Sequence, residues 1–205
     1  MATILEIAEM IRARKASHKG QFVVALAGPP ASGKSTLAND LLMELKGSKI
    51  LAMDGFHLDN GILTDRGILE RKGSPESFDL AGFSNLLERI RGGEEVIAPI
   101  FDRNLDLSRA GAISIGPEHE VVIVEGNYLL LKDAPWSDLH RFWDMTISLN
   151  VPLDVLKERL VHRWLGQNLG VERAHAKAQE NDLPNAELVV NGSIEADLVV
   201  DTVEI

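Results

Sequence analysis

Apolar residues recur at two periods along the chain. Ile4, Ile7, Ala8 and Ile11 share one face of a 3.6-residue repeat, which predicts an amphipathic helix over residues 3–17, ended by His18-Lys19-Gly20. Short runs rich in Val, Ile and Leu then predict buried strands at 21–27, 49–53, 120–126 and 145–149, and a run at 196–200 closes the sheet. Helical spacing returns between them. Leu37, Leu41, Leu42 and Leu45 predict a helix to about Lys46 with Gly47 as its C-cap. Leu80, Phe83, Leu86, Leu87 and Ile90 predict another that stops at Gly92-Gly93, and residues 136–142 predict a short one. Pro152 suits a first helical position before the apolar face Leu153, Leu156, Leu160 and Trp164, and residues 186–190 form a further helical piece. Strands alternating with helices predict an α/β fold in which a parallel sheet is covered by helices on both faces.

Three stretches break the alternation. Residues 59–78 have weak periodicity and read as a loop with one helical turn. Residues 94–116 hold Val96-Ile97-Ala98 and Ile113-Ser114-Ile115 around a polar segment, which predicts a two-stranded excursion outside the main sheet. Residues 166–182 are polar and Ala-rich, with Gly166 and Gly170 near one end, as suits a hinged lid. The organisation expected is one domain over residues 1–205, with the lid at about 164–182 and an acceptor-site excursion at about 55–116.

Gly28-Pro29-Pro30-Ala31-Ser32-Gly33-Lys34-Ser35-Thr36 fits G-x-x-x-x-G-K-[ST] and stands between a predicted strand and a predicted helix, the setting a phosphate-binding loop needs. Its glycines let the backbone wrap closely round a polyphosphate, and the helix N-terminus adds a positive dipole end. Residues 30–36 are therefore candidate nucleotide ligands: Pro30, Ala31, Ser32, Gly33, Lys34 for the β- and γ-phosphates, Ser35 for Mg²⁺, and Thr36.

Ligands of such a sheet bind beyond the carboxyl ends of its strands. Asp54 ends the second strand and is placed to act as general base toward a phosphoryl acceptor's hydroxyl; the alternative is an Asp turn with Gly55. Glu125 ends the third strand, at the place of an acidic Mg²⁺ ligand. Arg159 and Arg163 lie four apart on one helix beside the lid, where they would neutralise charge on a transferring phosphoryl group; the alternative is a solvated surface pair. His57 is a candidate substrate contact. Arg71 and Lys72 suit an anionic group, Phe78 anchors the loop, and Asp102 and Arg103 suit a polyol, the alternative being a polar surface loop with local ion pairs.

Charge and composition narrow the classes. The net charge of −10 argues against a general nucleic-acid binder. With no Cys there is no disulfide framework or thiol nucleophile, and no His/Asp/Glu cluster has the spacing of a zinc site. Glu6 and Glu9 interrupt any signal-peptide pattern, and no uncharged apolar run reaches a membrane span, so the expectation is a cytoplasmic protein with no membrane insertion; a homodimer is allowed.

These residues resemble one branch of the P-loop kinases, the uridine kinase, phosphoribulokinase and bacterial pantothenate kinase group. Asp54-Gly55-Phe56-His57 looks like that group's segment with the catalytic aspartate. Residues 71–79, RKGSPESFD, are similar to the R-K-G-x-P-E-S-[YF]-D segment of pantothenate kinase. Pro99-Ile100-Phe101-Asp102-Arg103 looks like the P-x-Y-D segment of uridine kinase, with Phe101 in place of a Tyr hydroxyl. The segment 124–131 and the lid around Arg163 look most like bacterial fructose transport system kinases. The resemblance implies the three-layer P-loop nucleoside triphosphate hydrolase fold with a small helical lid. It also implies a kinase that uses ATP and Mg²⁺ to phosphorylate a hydroxyl of a small molecule. A fructose-like sugar leads as acceptor, with a nucleoside or pantothenate as alternatives. A nucleotide-switched regulatory protein is the competing class: N-K-x-D is absent, but Asp79-Leu80-Ala81-Gly82 matches D-x-x-G.

Overall fold

A computed structural model of the chain describes residues 2–167 and 170–201. In chain order these form α1 (Ile4–Ala16), β1 (Phe22–Ala27), α2 (Lys34–Glu44), β2 (Ser48–Ala52), α3 (Asn60–Asp65) and α4 (Leu80–Arg91). Then come β3 (Val96–Asp102), β4 (Leu107–Ile115), β5 (Val121–Gly126), β6 (Met145–Asn150), α5 (Leu153–Gly166), α6 (Val171–Lys177), α7 (Leu183–Gly192) and β7 (Leu198–Asp201). Five strands make one parallel sheet in the order β2-β5-β1-β6-β7. Strand order reverses about β1, so the crevice beyond its carboxyl end is the expected ligand site of such a sheet.

The sequence of β1 explains its central place. All six residues are apolar and buried, as a strand covered on both faces requires. Val24 and Leu26 pack with Ile123, Ile147 and the α1–α2 residues Ile7, Ile11, Leu37 and Leu41. Val23, Ala25 and Ala27 face the opposite core with Val122, Val124, Phe83, Leu87 and Leu139. Helices thus cover both faces and make the three-layer α/β arrangement. α1 is fixed at its start by a capping box, in which the Glu6 N–H donates to Thr3 Oγ1 (3.2 Å) and the Thr3 N–H to Glu6 Oε2 (2.7 Å).

β3 and β4 pair antiparallel outside the main sheet, as the spacing predicts. This hairpin packs on the 3₁₀ turn Met53–Phe56, which carries Asp54 directly after β2. The contact is close enough to demand glycine at position 55. A Cβ there would lie 2.5 Å from the Pro99 carbonyl oxygen.

Several expectations change in detail. β2 is an edge strand with half-buried positions, not a fully buried one. Leu153 is exposed, and the covered face of α5 is Leu156, Leu160 and Val161 instead. Residues 59–78 hold more structure than one turn: α3 and the 3₁₀ turns Leu69–Arg71 and Pro75–Ser77. In the lid stretch, α6 runs through a π-helical segment, Ala178–Asp182, straight into α7. Residues 168 and 169 of that stretch lie outside the described residues.

The hairpin contact yields a test. Gly55→Ala should destabilise the protein by about 1–3 kcal/mol through overpacking against Pro99, read as a lower denaturant midpoint at unchanged slope.

Candidate active site

The carboxyl edge of the sheet opens into a cleft of about 660 Å³. The phosphate loop forms its floor. Ala31 (φ 63°) and Gly33 (φ 98°) take left-handed backbone, the turns an anion-binding loop needs, and at Ala31 this is strain held by its surroundings. α2 then starts at Lys34 with no side chain capping its N-terminus, so its first N–H groups remain for a ligand.

Lys34 is the most constrained charge in the cleft. Only 7% of it is exposed. Its ammonium donates to the Pro29 carbonyl at 2.8 Å and to Ser32 Oγ at 3.4 Å. Burial pushes its pKa down to about 8, against the upward pull of Glu125 and Asp54, while Arg163 and Arg103 push it down further. A cation held this far from water gains most from an anion brought to it.

Pairing in the sheet places Glu125 beside Leu26 of β1 and Ala52 of β2, so it faces the same edge as Asp54 two residues beyond Ala52. Ser35 Oγ donates to Glu125 Oε1 at 3.3 Å. Burial, and then the charge of Asp54, raise the Glu125 pKa. A hydroxyl and a carboxylate converging beside a phosphate loop are a donor set that fits a hard divalent cation such as Mg²⁺.

The other half of the cleft is walled by residues 57–78 and the β3–β4 hairpin. His57 packs its ring 4.1 Å from Phe78 and 4.7 Å from Phe101, centroid to centroid. Its Nδ1 lies 2.8 Å from the Asp54 carbonyl oxygen, which can only accept, so Nδ1 carries the proton. Burial lowers the His57 pKa, and the neutral ring leaves Nε2 as an acceptor. Lys72 lines the cleft, but its charge is already matched: Nζ donates to Asn60 Oδ1 (2.7 Å) and the Asp106 carbonyl (2.6 Å), and pairs with Asp106 Oδ2 at 3.0 Å. It ties α3 to the hairpin tip. Arg103 also lines the cleft and forms no hydrogen bond or ion pair among the described residues.

Of the sequence candidates, Pro30, Ala31, Ser32, Gly33, Lys34, Ser35, Thr36, Asp54, His57, Lys72, Phe78, Arg103, Glu125 and Arg163 line this cleft. Arg71, Asp102 and Arg159 are not among its lining residues. Arg71 is exposed at the end of a 3₁₀ turn. The Asp102 carboxylate is engaged in the hairpin turn, accepting from the N–H groups of Asn104 (3.1 Å) and Leu105 (3.2 Å). Arg159 lies one turn of α5 before Arg163, which at about 1.5 Å per residue sets it roughly 6 Å back along the axis. Asp79 of the D-x-x-G match caps α4 by accepting from the Gly82 N–H at 2.9 Å, a structural use.

Sequence reasoning did not find Asn60, Asp106, Tyr128, Trp164, Asp182 or Asn185. Tyr128, the one tyrosine of the chain, is buried, and its hydroxyl donates to the Gly73 carbonyl at 2.5 Å. Burial raises its pKa. Trp164 Nε1 donates to Asp182 Oδ2 at 2.6 Å. Tyr128 lies within the family-like segment 124–131, but its bond to Gly73, like the other contacts, joins segments apart in the sequence and has no local signature.

The Lys34 geometry gives a solution test. With its pKa pushed down to about 8, this ammonium is partly deprotonated near that pH, and a bound polyphosphate should restore its proton. Metal-free ADP binding near pH 8 should therefore take up a fraction of a proton per site, and less as the pH is lowered. Calorimetry in buffers of different ionisation enthalpy reads this, and the uptake should vanish in Lys34→Met.

The chain matches no protein-family model. It is 44% identical to a "putative fructose transport system kinase" from Silicibacter sp. TM1040, with a TM-score of 0.93 over 98% of this chain and 100% of that one. It is 36% identical to the uncharacterized protein YggC of Escherichia coli (strain K12), over 89% of this chain and 78% of the relative. It is 33% identical to a "putative uridine kinase" of Schizosaccharomyces pombe, over 89% of this chain and 84% of that protein. Those similarities span the sheet, the phosphate loop and the helices beside the cleft, and the chain belongs to the P-loop kinases, in the group that includes uridine kinase-like and pantothenate kinase proteins.

Proposed function

We propose that the protein transfers the γ-phosphoryl group of ATP to a hydroxyl of a small sugar-like acceptor, in a Mg²⁺-dependent reaction in the cytoplasm. The observation that carries this reading is the convergence of Lys34, Ser35, Asp54 and Glu125 on one cleft at the sheet edge. Its volume of about 660 Å³ suits a nucleotide phosphate chain with a small acceptor beside it.

The roles follow from position. The loop N–H groups and Lys34 hold the phosphates, and Lys34 bears on the charge that grows between the β- and γ-phosphates. Ser35 and Glu125 hold Mg²⁺, which when bound withdraws electron density from the phosphate oxygens. The Asp54 carboxylate orients the acceptor hydroxyl and takes its proton. Arg163, on the last turn of α5, and Arg103, on the hairpin, border the cleft from two sides and offset charge on the group in transit. Closure of the lid over the cleft excludes water, which limits loss of the phosphoryl group to hydrolysis.

The fructose transport system name carried by the 44% identical protein favours a sugar acceptor, and the names of other relatives keep a nucleoside or pantothenate as alternatives. Phe101 supports a sugar over uridine, since it packs on His57 and offers no hydroxyl to a base.

A phosphorylation screen across sugars, nucleosides and pantothenate, with mass detection of products, tests the proposal. Asp54→Asn should keep nucleotide affinity within about twofold and lose roughly 10²–10⁴-fold in transfer rate. Full transfer activity in that variant would sink the base assignment. Glu125→Gln should raise the Mg²⁺ concentration needed for half-maximal turnover by about tenfold or more, while ADP binding without metal changes far less.

A further inference from the structure

The junction of the π-helical segment with α7 holds three polar side chains that are nine-tenths or more buried: Asn181 at 3% exposure, Asp182 at 8% and Asn185 at 3%. The first two are each held by one bond, although Asn181 Oδ1 is buried without a partner among the described residues. Asn181 Nδ2 donates to the Lys72 carbonyl at 2.9 Å, and Asp182 Oδ2 accepts from the Trp164 indole. Asn185 differs. It lines the cleft, yet it makes no hydrogen bond to any described residue. Its amide atoms are not among the buried polar atoms of the described residues that lack a partner, so on a residue otherwise buried they face the cleft, where a donor and an acceptor remain for a ligand.

Its position says which half of the cleft it serves. Asn185 comes one helical turn after Asn181, on the same side. Asn181 is fastened to the carbonyl of Lys72, and the next carbonyl, of Gly73, is held by the Tyr128 hydroxyl. Asn185 therefore stands with the wall of Lys72, Gly73 and Phe78, where the charge of Lys72 is already matched by Asp106.

We infer that Asn185 is a specificity-determining residue for the acceptor, and that it reads a pair of neighbouring hydroxyls. A side-chain amide accepts through Oδ1 and donates through Nδ2, which matches two hydroxyls on adjacent carbons. The acceptor class is a small polyol with a vicinal diol beside the phosphorylated hydroxyl. This rests on the kinase reading above and narrows it.

The test uses the full chain with MgATP and a panel of D-fructose, D-ribose, uridine, glycerol and pantothenate. Each is followed by acceptor-dependent ADP release. For the best acceptor, Asn185→Ala and Asn185→Ser should raise the acceptor KM about tenfold or more, with the KM for ATP within about twofold and the melting temperature not lowered. Removing one diol hydroxyl from that acceptor should cost the wild type about tenfold in kcat/KM and cost Asn185→Ala no more than about twofold. An unchanged acceptor KM, an equal rise for ATP and acceptor, or a best acceptor without a vicinal diol overturns the inference and leaves the kinase reading standing. No acceptor-dependent ADP from any compound overturns the kinase reading, and the inference falls with it.

Discussion

A buried ammonium group sets the terms for the rest of this structure. Lys34 sits at the first position of α2, almost out of water, with a carbonyl and a hydroxyl as its neutral neighbours. Such a charge is costly alone, which is why burial depresses its pKa. Two carboxylates, Glu125 and Asp54, keep it tolerable by position and not by direct pairing. The sheet delivers both, because β5 and β2 end on the same side as β1. The central strand, the loop and the neighbouring strand ends are thus one electrostatic unit, completed when a polyphosphate arrives.

The other half of the cleft is held by a different kind of bond. No strand end builds it. Distant segments are pinned together by single polar contacts: Lys72 to Asn60 and Asp106, Tyr128 to Gly73, Asn181 to Lys72. Gly55 lets the hairpin close on the Asp54 turn, and His57 is stacked between Phe78 and Phe101. This wall therefore depends on the helical stretch from α5 to α7 that also borders the phosphate-loop side, through Asn181 and the Trp164–Asp182 bond. Donor and acceptor halves share a physical connection at the start of α7.

The two halves differ in how far they could be read from the chain. The donor half is written locally: residues 28–36 carry their own turn, charge and helix start, and Asp54 and Glu125 each follow an apolar run. In the other half residue type alone carries the signal: His57, Lys72, Phe78 and Arg103 line the cleft, and Arg71 and Asp102 do not. Lys72, a type that suits an anion, braces the hairpin, and Asp102 holds the hairpin turn; on the nucleotide side, Arg159 lies a turn away from the cleft-lining Arg163. Asn185 carried no signal at all, since an Asn near a predicted helix start reads as a cap.

By itself the sequence determined the alternation of strand and helix, the phosphate loop and the carboxylates at the strand ends. Those follow from periodicity and backbone chemistry within a dozen residues. Only the tertiary structure decided which charges remain available. Whether Lys72 is matched and Asn185 is not depends on partners 12 and 34 residues away for the first and on the place of α7 beside the cleft for the second. A side chain's chemistry is fixed by its type, but its freedom to bind a ligand is fixed by what the fold has already placed beside it.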